Sequence, residues 1–180
     1  MEMYFVALVL PEELNQKVLQ YKHWMLEHFG CKVGLKSPAH ITLVPPFWMA
    51  PEKQSVLQND LDELALSVSP FEISTNGFAA FKPRTIFIQP ALTPALAALK
   101  RMADNLVTSH PEYGAKTDMR PFHPHITIAT RDLSKGSFSE AWSHFETKKF
   151  GESWQTEGIS LLRHNKKNWD VVHTSQFLKD

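Results

Sequence analysis

Two kinds of hydrophobic spacing alternate along the chain. Tyr4–Leu10 is an unbroken apolar run of strand length, stopped by Pro11. From about Glu12 to Phe29 the spacing becomes helical: Leu14, Val18, Tyr21 and Met25 share one face, and Gly30 supplies the stop. A short strand is predicted around His40–Val44, closed by Pro45-Pro46. A second helix is predicted over roughly Glu52–Val68, carrying Leu57, Leu61, Leu64 and Val68. Phe71–Thr75, Phe78–Phe81 and Thr85–Gln89 read as short strands, separated by Asn76-Gly77 and Pro83. Thr93 followed by Pro94 forms an N-cap and first helical position, and the helix they start presents Leu96, Leu99, Ala103 and Leu106. A polar loop around Glu112–Arg120 leads to a strand at His125–Ala129. A helix at about Ser137–Phe145 then shows Phe138, Ala141, Trp142 and Phe145. The pattern closes as a hairpin: Ile159–Leu162, the polar turn His164–Asn168, then Trp169–Val172.

This order repeats. Each half runs strand, helix, His-Ile-Thr strand, helix, with 36 positions from Tyr4 to His40 and 40 from Thr85 to His125. The extra residues fit in the Glu112–Arg120 loop. A duplicated unit predicts two similar lobes about a pseudo-two-fold axis. The expected fold class is α+β and bilobal, with antiparallel sheets, flanking helices and a central groove. Residues 1–180 are expected to form a single bilobal domain, since no linker or low-complexity tract divides them.

Composition narrows the function. Lys plus Arg and Asp plus Glu are both 19, so the basic excess typical of a protein coating long nucleic acid is missing. A small phosphate ligand or a short RNA end remains compatible with that balance. One cysteine, Cys31, excludes an intrachain disulfide and a multi-cysteine zinc site. The first apolar run is too short to span a membrane and lacks a basic leader. No membrane association is expected, and the cytoplasm is the expected location.

The chemistry concentrates in His40-Ile41-Thr42-Leu43 and its answer, His125-Ile126-Thr127-Ile128. On a strand, residues two apart share a face, so each histidine projects with its threonine while Ile41, Leu43, Ile126 and Ile128 turn to the core. Facing lobes then bring two imidazoles and two hydroxyls to one groove. Displacement at phosphorus needs a base on the attacking oxygen and an acid on the leaving one, and histidine serves either role near neutral pH. Threonine hydroxyls can donate to the non-bridging oxygens. The scheme calls for no metal and no cofactor. The near-symmetry of the motifs leaves open which histidine is base and which acid; His125 as base and His40 as acid is the working assignment. A lone His-x-Thr is ordinary sheet decoration, whereas two copies in a repeated unit are not.

On these residues the chain resembles the 2H phosphoesterase superfamily, the group containing bacterial 2′-5′ RNA ligases and cyclic nucleotide phosphodiesterases. The resemblance rests on His40-Ile41-Thr42-Leu43 followed by Pro45-Pro46-Phe47, and on Phe122-His123-Pro124-His125-Ile126-Thr127-Ile128-Ala129. It implies a bilobal α+β fold and hydrolysis, or reversible formation, of 2′-linked phosphoesters: a 2′,3′-cyclic phosphate or a 2′,5′-phosphodiester of a nucleotide or RNA. In RNA-ligase-like members an arginine often lies five residues after the second histidine. Here that place is Thr130 and the arginine is Arg131, which a strand would present on the opposite face.

Further substrate contacts come from Arg84, whose planar fork suits a phosphate, and from His123, Arg131 and Phe47. Each has a plainer role available: a solvated turn charge for Arg84, an exposed loop histidine for His123, core packing for Phe47 and Trp48. The Arg163–Asn168 turn could touch an RNA backbone, but reads first as a hydrophilic hairpin tip. Two rival functions stand. His40, His123 and His125 could hold a metal in a hydrolase, although no carboxylate falls at a recognised ligand spacing. The same groove could also bind a nucleotide without turning it over. The partner expected in each non-metal case is a nucleotide or RNA end, and no protein partner is implied.

Overall fold

The computed structural model describes residues 1–179. Eight strands form two antiparallel four-stranded sheets, with four α-helices: β1 (Glu2–Val9), α1 (Glu12–Phe29), β2 (His40–Met49), α2 (Gln54–Ala65), β3 (Phe71–Phe81), β4 (Thr85–Pro90), α3 (Pro94–Thr108), β5 (Ile126–Ala129), α4 (Phe138–Phe145), β6 (Ser153–Thr156), β7 (Gly158–His164) and β8 (Trp169–Gln176). The sheet orders are β2-β1-β7-β8 and β5-β4-β3-β6. In each, a His-x-Thr strand lies at the edge, hydrogen-bonded to the strand that began its strand–helix–strand unit. The duplicated α+β architecture expected from the sequence is therefore the one observed.

Local chemistry accounts for the elements. Glu12 and Glu13 in the first turn of α1 complement its dipole, and Gly30 at φ 67° ends it by donating its N–H to the Leu26 carbonyl at 2.9 Å. The Thr93 hydroxyl accepts the Leu96 N–H at 3.2 Å, with Pro94 in the first turn of α3. Two breaker signals did not break. β2 continues through Pro45-Pro46 to Met49, with register shifts against β1 between Tyr4 and Ala7. As an edge strand it can omit ladder donors. β3 likewise runs unbroken across Asn76-Gly77, where Gly77 at φ 70° forms a bulge rather than a turn. Its first half pairs with β6, which periodicity did not reveal, and its second half with β4.

One large hydrophobic cluster draws on both sheets and all four helices. Tyr4, Val6 and Leu8 of β1, Ile41 and Leu43 of β2, and Ile126 and Ile128 of β5 belong to it. The helices cross between lobes: α1 packs against β5, and α3 against β2. Asp132 reinforces the first crossing, its carboxylate accepting the Lys32 and Val33 N–H groups at 2.6 and 2.9 Å. Gly34 sits so close that an added Cβ would lie 2.5 Å from the Ile128 carbonyl oxygen. Each helix thus braces the other lobe's motif strand.

Candidate active site

The register of β1 against β2 sets Val9 opposite His40 and Ala7 opposite Thr42. Those four residues, with Phe5, occupy the face turned away from the large core. A second, smaller cluster forms there around Phe5, Ala7 and Leu162. In the other sheet Phe87 pairs with Thr127, and Phe87 too lies outside the large core although only 1% exposed. Thr42, His125 and Thr127 line one cavity of about 530 Å³. His40 stands two residues from Thr42 on the same face, half-buried and against the Phe5 ring at 4.9 Å.

The two imidazoles are held alike. His40 Nδ1 lies 2.7 Å from the Pro38 carbonyl oxygen, and His125 Nδ1 lies 2.8 Å from the His123 carbonyl oxygen. A carbonyl can only accept, so each Nδ1 carries the proton and each Nε2 is left to take or give one. The segment before His40 is tied down on every side. The Lys22 ammonium donates to the Ser37 carbonyl at 3.0 Å, the Ala39 N–H to the Asn15 side chain at 2.8 Å, and the Leu10 N–H to the Ala39 carbonyl at 3.0 Å.

Burial makes both rings poor cations. The pKa of His40 is pushed down to about 4 by desolvation, helped by the nearby charges of Lys22 and His125 and opposed by the Pro38 carbonyl. Burial also lowers His125, the His123 carbonyl opposing and the His123 charge adding to the effect. Lys22 is only 3% exposed, and burial brings its own pKa down to about 8. A bound phosphate dianion would reverse the balance at both histidines, drawing a proton onto one of them.

Of the secondary candidates, His123 lines the cavity. It is exposed, yet its ring meets Phe81 and Phe87 edge-on at 4.9 and 5.8 Å, the two rings that also flank His125. Arg84 is exposed in the β3–β4 turn, beside Thr85 and outside the lining. Arg131 lies just past β5, exposed and also outside it. Thr130 does line the cavity, its hydroxyl 3.2 Å from that of Thr85. Phe47 is corrected: it is 5% exposed and stacks on Tyr4 at 6.3 Å in the core, because it lies opposite Tyr4 and turns to the same face as Ile41 and Leu43, away from His40 and Thr42.

The sequence did not single out Lys100, Asp118 or Arg120, which line the same cavity. Arg120 is paired to Asp118 through two nitrogens, at 2.9 and 2.8 Å, and holds that carboxyl down to about 2. Lys100 pairs with Asp104 at 2.6 Å and lies over the Phe122 ring at 5.6 Å. Arg120 closed the polar loop recognised before the second motif; nothing in α3 marked Lys100. Among the described residues, no three or more His, Cys, Asp or Glu side chains gather as metal ligands, and no helix is long and apolar enough to cross a membrane.

Residues 10–168 match the 2′-5′ RNA ligase superfamily. The chain is 25% identical to an RNA 2′,3′-cyclic phosphodiesterase of Bacillus subtilis (strain 168), over 75% of this chain and 74% of that protein. It is 30% identical to a protein of the same name from Geobacillus stearothermophilus, over 75% of this chain but only 44% of the relative. Among solved structures it resembles TT0787 of Thermus thermophilus, with a TM-score of 0.70 at 21% identity over 99% of each chain. It also resembles E. coli LigT complexed with 3′-AMP, with a TM-score of 0.66 at 19% identity over 99% of each chain. LigT has been solved with NADP+ and with ATP as well.

Proposed function

The chain belongs to the 2′-5′ RNA ligase superfamily, and from that premise we propose that it is a metal-independent phosphoesterase opening 2′,3′-cyclic phosphates of nucleotides or RNA ends through His40, Thr42, His125 and Thr127. That it is a phosphoesterase enzyme of the cyclic phosphodiesterase and 2′-5′ RNA ligase type follows from the family and its named relatives. The finer reading is supported by one observation: two edge strands carry matching His-x-Thr pairs, both Nδ1 atoms committed to carbonyls, with Thr42, His125 and Thr127 lining one cavity and His40 on the same face as Thr42. A nucleotide substrate agrees with the nucleotides bound by LigT.

In the hydrolytic direction a water attacks phosphorus while one Nε2 takes its proton. The phosphorus–oxygen bond of the ring opens, and the other Nε2 protonates the departing ribose oxygen. Thr42 and Thr127 donate to the non-bridging oxygens as negative charge builds on them. The electrostatics favour the reverse of the roles first assigned. His40, with its pKa near 4, is the imidazole more readily held neutral, and so the base; His125 is the acid. With a 5′-hydroxyl in place of water the same groups, in the same roles, join a 2′-linked ester; run backwards they exchange roles, closing the ring and expelling the oxygen that had attacked.

A substrate panel in EDTA tests the proposal. Nucleoside 2′,3′-cyclic phosphates and 2′,5′-linked dinucleotides are expected to turn over, and 3′,5′-cyclic and 3′,5′-linked controls to remain intact. Turnover of the 3′,5′ esters alone, or tight nucleotide binding with no product from any substrate, would replace this reading.

A further inference from the structure

We infer that the groove face of the first sheet is a track for single-stranded polynucleotide, leading away from His40 to the β7–β8 turn and separate from the cavity beside His125. The inference rests on the proposed phosphodiesterase reading and extends it from the reacting phosphate to the chain attached to it.

The track begins at the active site and is aromatic throughout. His40 packs on Phe5 at 4.9 Å, Phe5 meets the edge of Trp169 at 4.6 Å, and Trp169 meets His164 at 4.9 Å. The register explains the continuity. Leu162 lies opposite Phe5, and His164 opposite Trp169, so all four share the face that carries His40 and Thr42. Farther along that face Trp48 is 55% exposed beside Met3. Trp48, Met3, Arg163, His164 and Lys166 line a second hollow of about 340 Å³. An exposed tryptophan and a half-exposed one on a sheet face are costly in water unless something covers them. Successive bases can, since every base offers a flat π face.

Charge selects that occupant. The turn at the end of the track carries Arg163, Lys166 and Lys167. The facing carboxylates are Glu2, 3.5 Å from Arg163, and Asp170, which accepts from the Asn165 amide at 2.9 Å. Lys166 and Lys167 make no ion pair among the described residues and are exposed, free to meet phosphates. The 530 Å³ cavity on the other side of the groove is of single-ligand size. With the terminal nucleoside there and the cyclic phosphate between the histidines, the remaining strand can run out over Phe5 and Trp169. The chain's zero net charge accords with a contact of a few nucleotides rather than a long coated strand.

The test compares kcat/KM for a nucleoside 2′,3′-cyclic phosphate and for a hexaribonucleotide ending in the same group. The wild type is expected to prefer the hexamer by at least about tenfold, from base stacking and phosphate contacts. Trp48→Ala and Trp169→Ala should each remove most of that preference while leaving mononucleotide turnover within about twofold. The charge reversal K166E/K167E, which touches only exposed positions, should remove it too and flatten the salt dependence of hexamer turnover. Equal rates on both substrates in the wild type would overturn the track. So would variants that lose both activities in parallel, or an acidic peptide that competes with the hexamer as well as an oligonucleotide does. If neither substrate reacts, the hydrolytic reading has failed. Tryptophan fluorescence on adding an uncleavable hexamer then decides the track separately, quenching supporting it and an unchanged spectrum overturning it.

Discussion

Alanine at His125 lowers turnover of a nucleoside 2′,3′-cyclic phosphate by about 10²–10⁴-fold, and alanine at His40 does the same, because each removes one of the two proton transfers. The double variant is expected to be little slower than either single one, since base and acid act in one transition state and their effects do not add. Both side chains are half-buried at the groove, and the carbonyls of Pro38 and His123 become reachable by water when the rings are gone. Folding should therefore be nearly unaffected, and a denaturation curve within about 1 kcal/mol of the wild type is the control. Thr42→Val and Thr127→Val should cost less individually, since each removes one donor and leaves its counterpart and both imidazoles. Steady-state rates on purified variants check all of this. Full activity in both histidine variants would end the two-histidine mechanism.

Phe145→Ala is expected to cost about 3–5 kcal/mol of stability, the usual range for emptying a buried aromatic site. Phe145 is 0% exposed at the end of α4. Its ring meets Tyr21 and Trp24 of α1 at 6.1 and 5.5 Å, and Phe78 of β3 at 5.0 Å. It thus joins both lobes through α1, the helix that also braces β5. Against a typical total of about 5–15 kcal/mol, such a loss is a large fraction. Urea denaturation should show the midpoint falling, while activity per folded molecule at low temperature stays close to wild type. A change below about 1 kcal/mol would mean that the aromatic cluster does not hold the lobes together as described.

The parts of the fold legible in the sequence are those with strong local signals. α1 was delimited by Pro11 and Gly30, and its period was unbroken across eighteen residues. The paired motifs were legible for a different reason: repetition distinguished His-x-Thr from chance. What escaped depends on partners far along the chain. Asn76-Gly77 has the composition of a hairpin turn, and only the strands on either side of β3 make it a bulge. Pro45-Pro46 ends a central strand but not an edge strand, and edge position is a property of the sheet. β6 has four residues, too few for an alternation to register. Lys100 and Arg120 reach the cavity from a helix and an irregular segment whose placement local pattern does not determine. The proposed exchange of acid and base roles rests on the burial of His40 and on Lys22, neither of which near-identical motifs could disclose.

The pH dependence of kcat/KM for a 2′,3′-cyclic phosphate, measured with EDTA in excess, tests the two-histidine mechanism most directly. The free enzyme must hold His40 neutral and His125 protonated at once. The profile should therefore be a bell, with its acid limb set by His40 near pH 4 and its alkaline limb set by His125 below the ordinary imidazole value of 6.5. His40→Ala should abolish the acid limb and His125→Ala the alkaline one in whatever residual rate survives. Activity that vanishes in EDTA and returns with a divalent metal, or a rate that climbs steadily into the alkaline range, would contradict the mechanism.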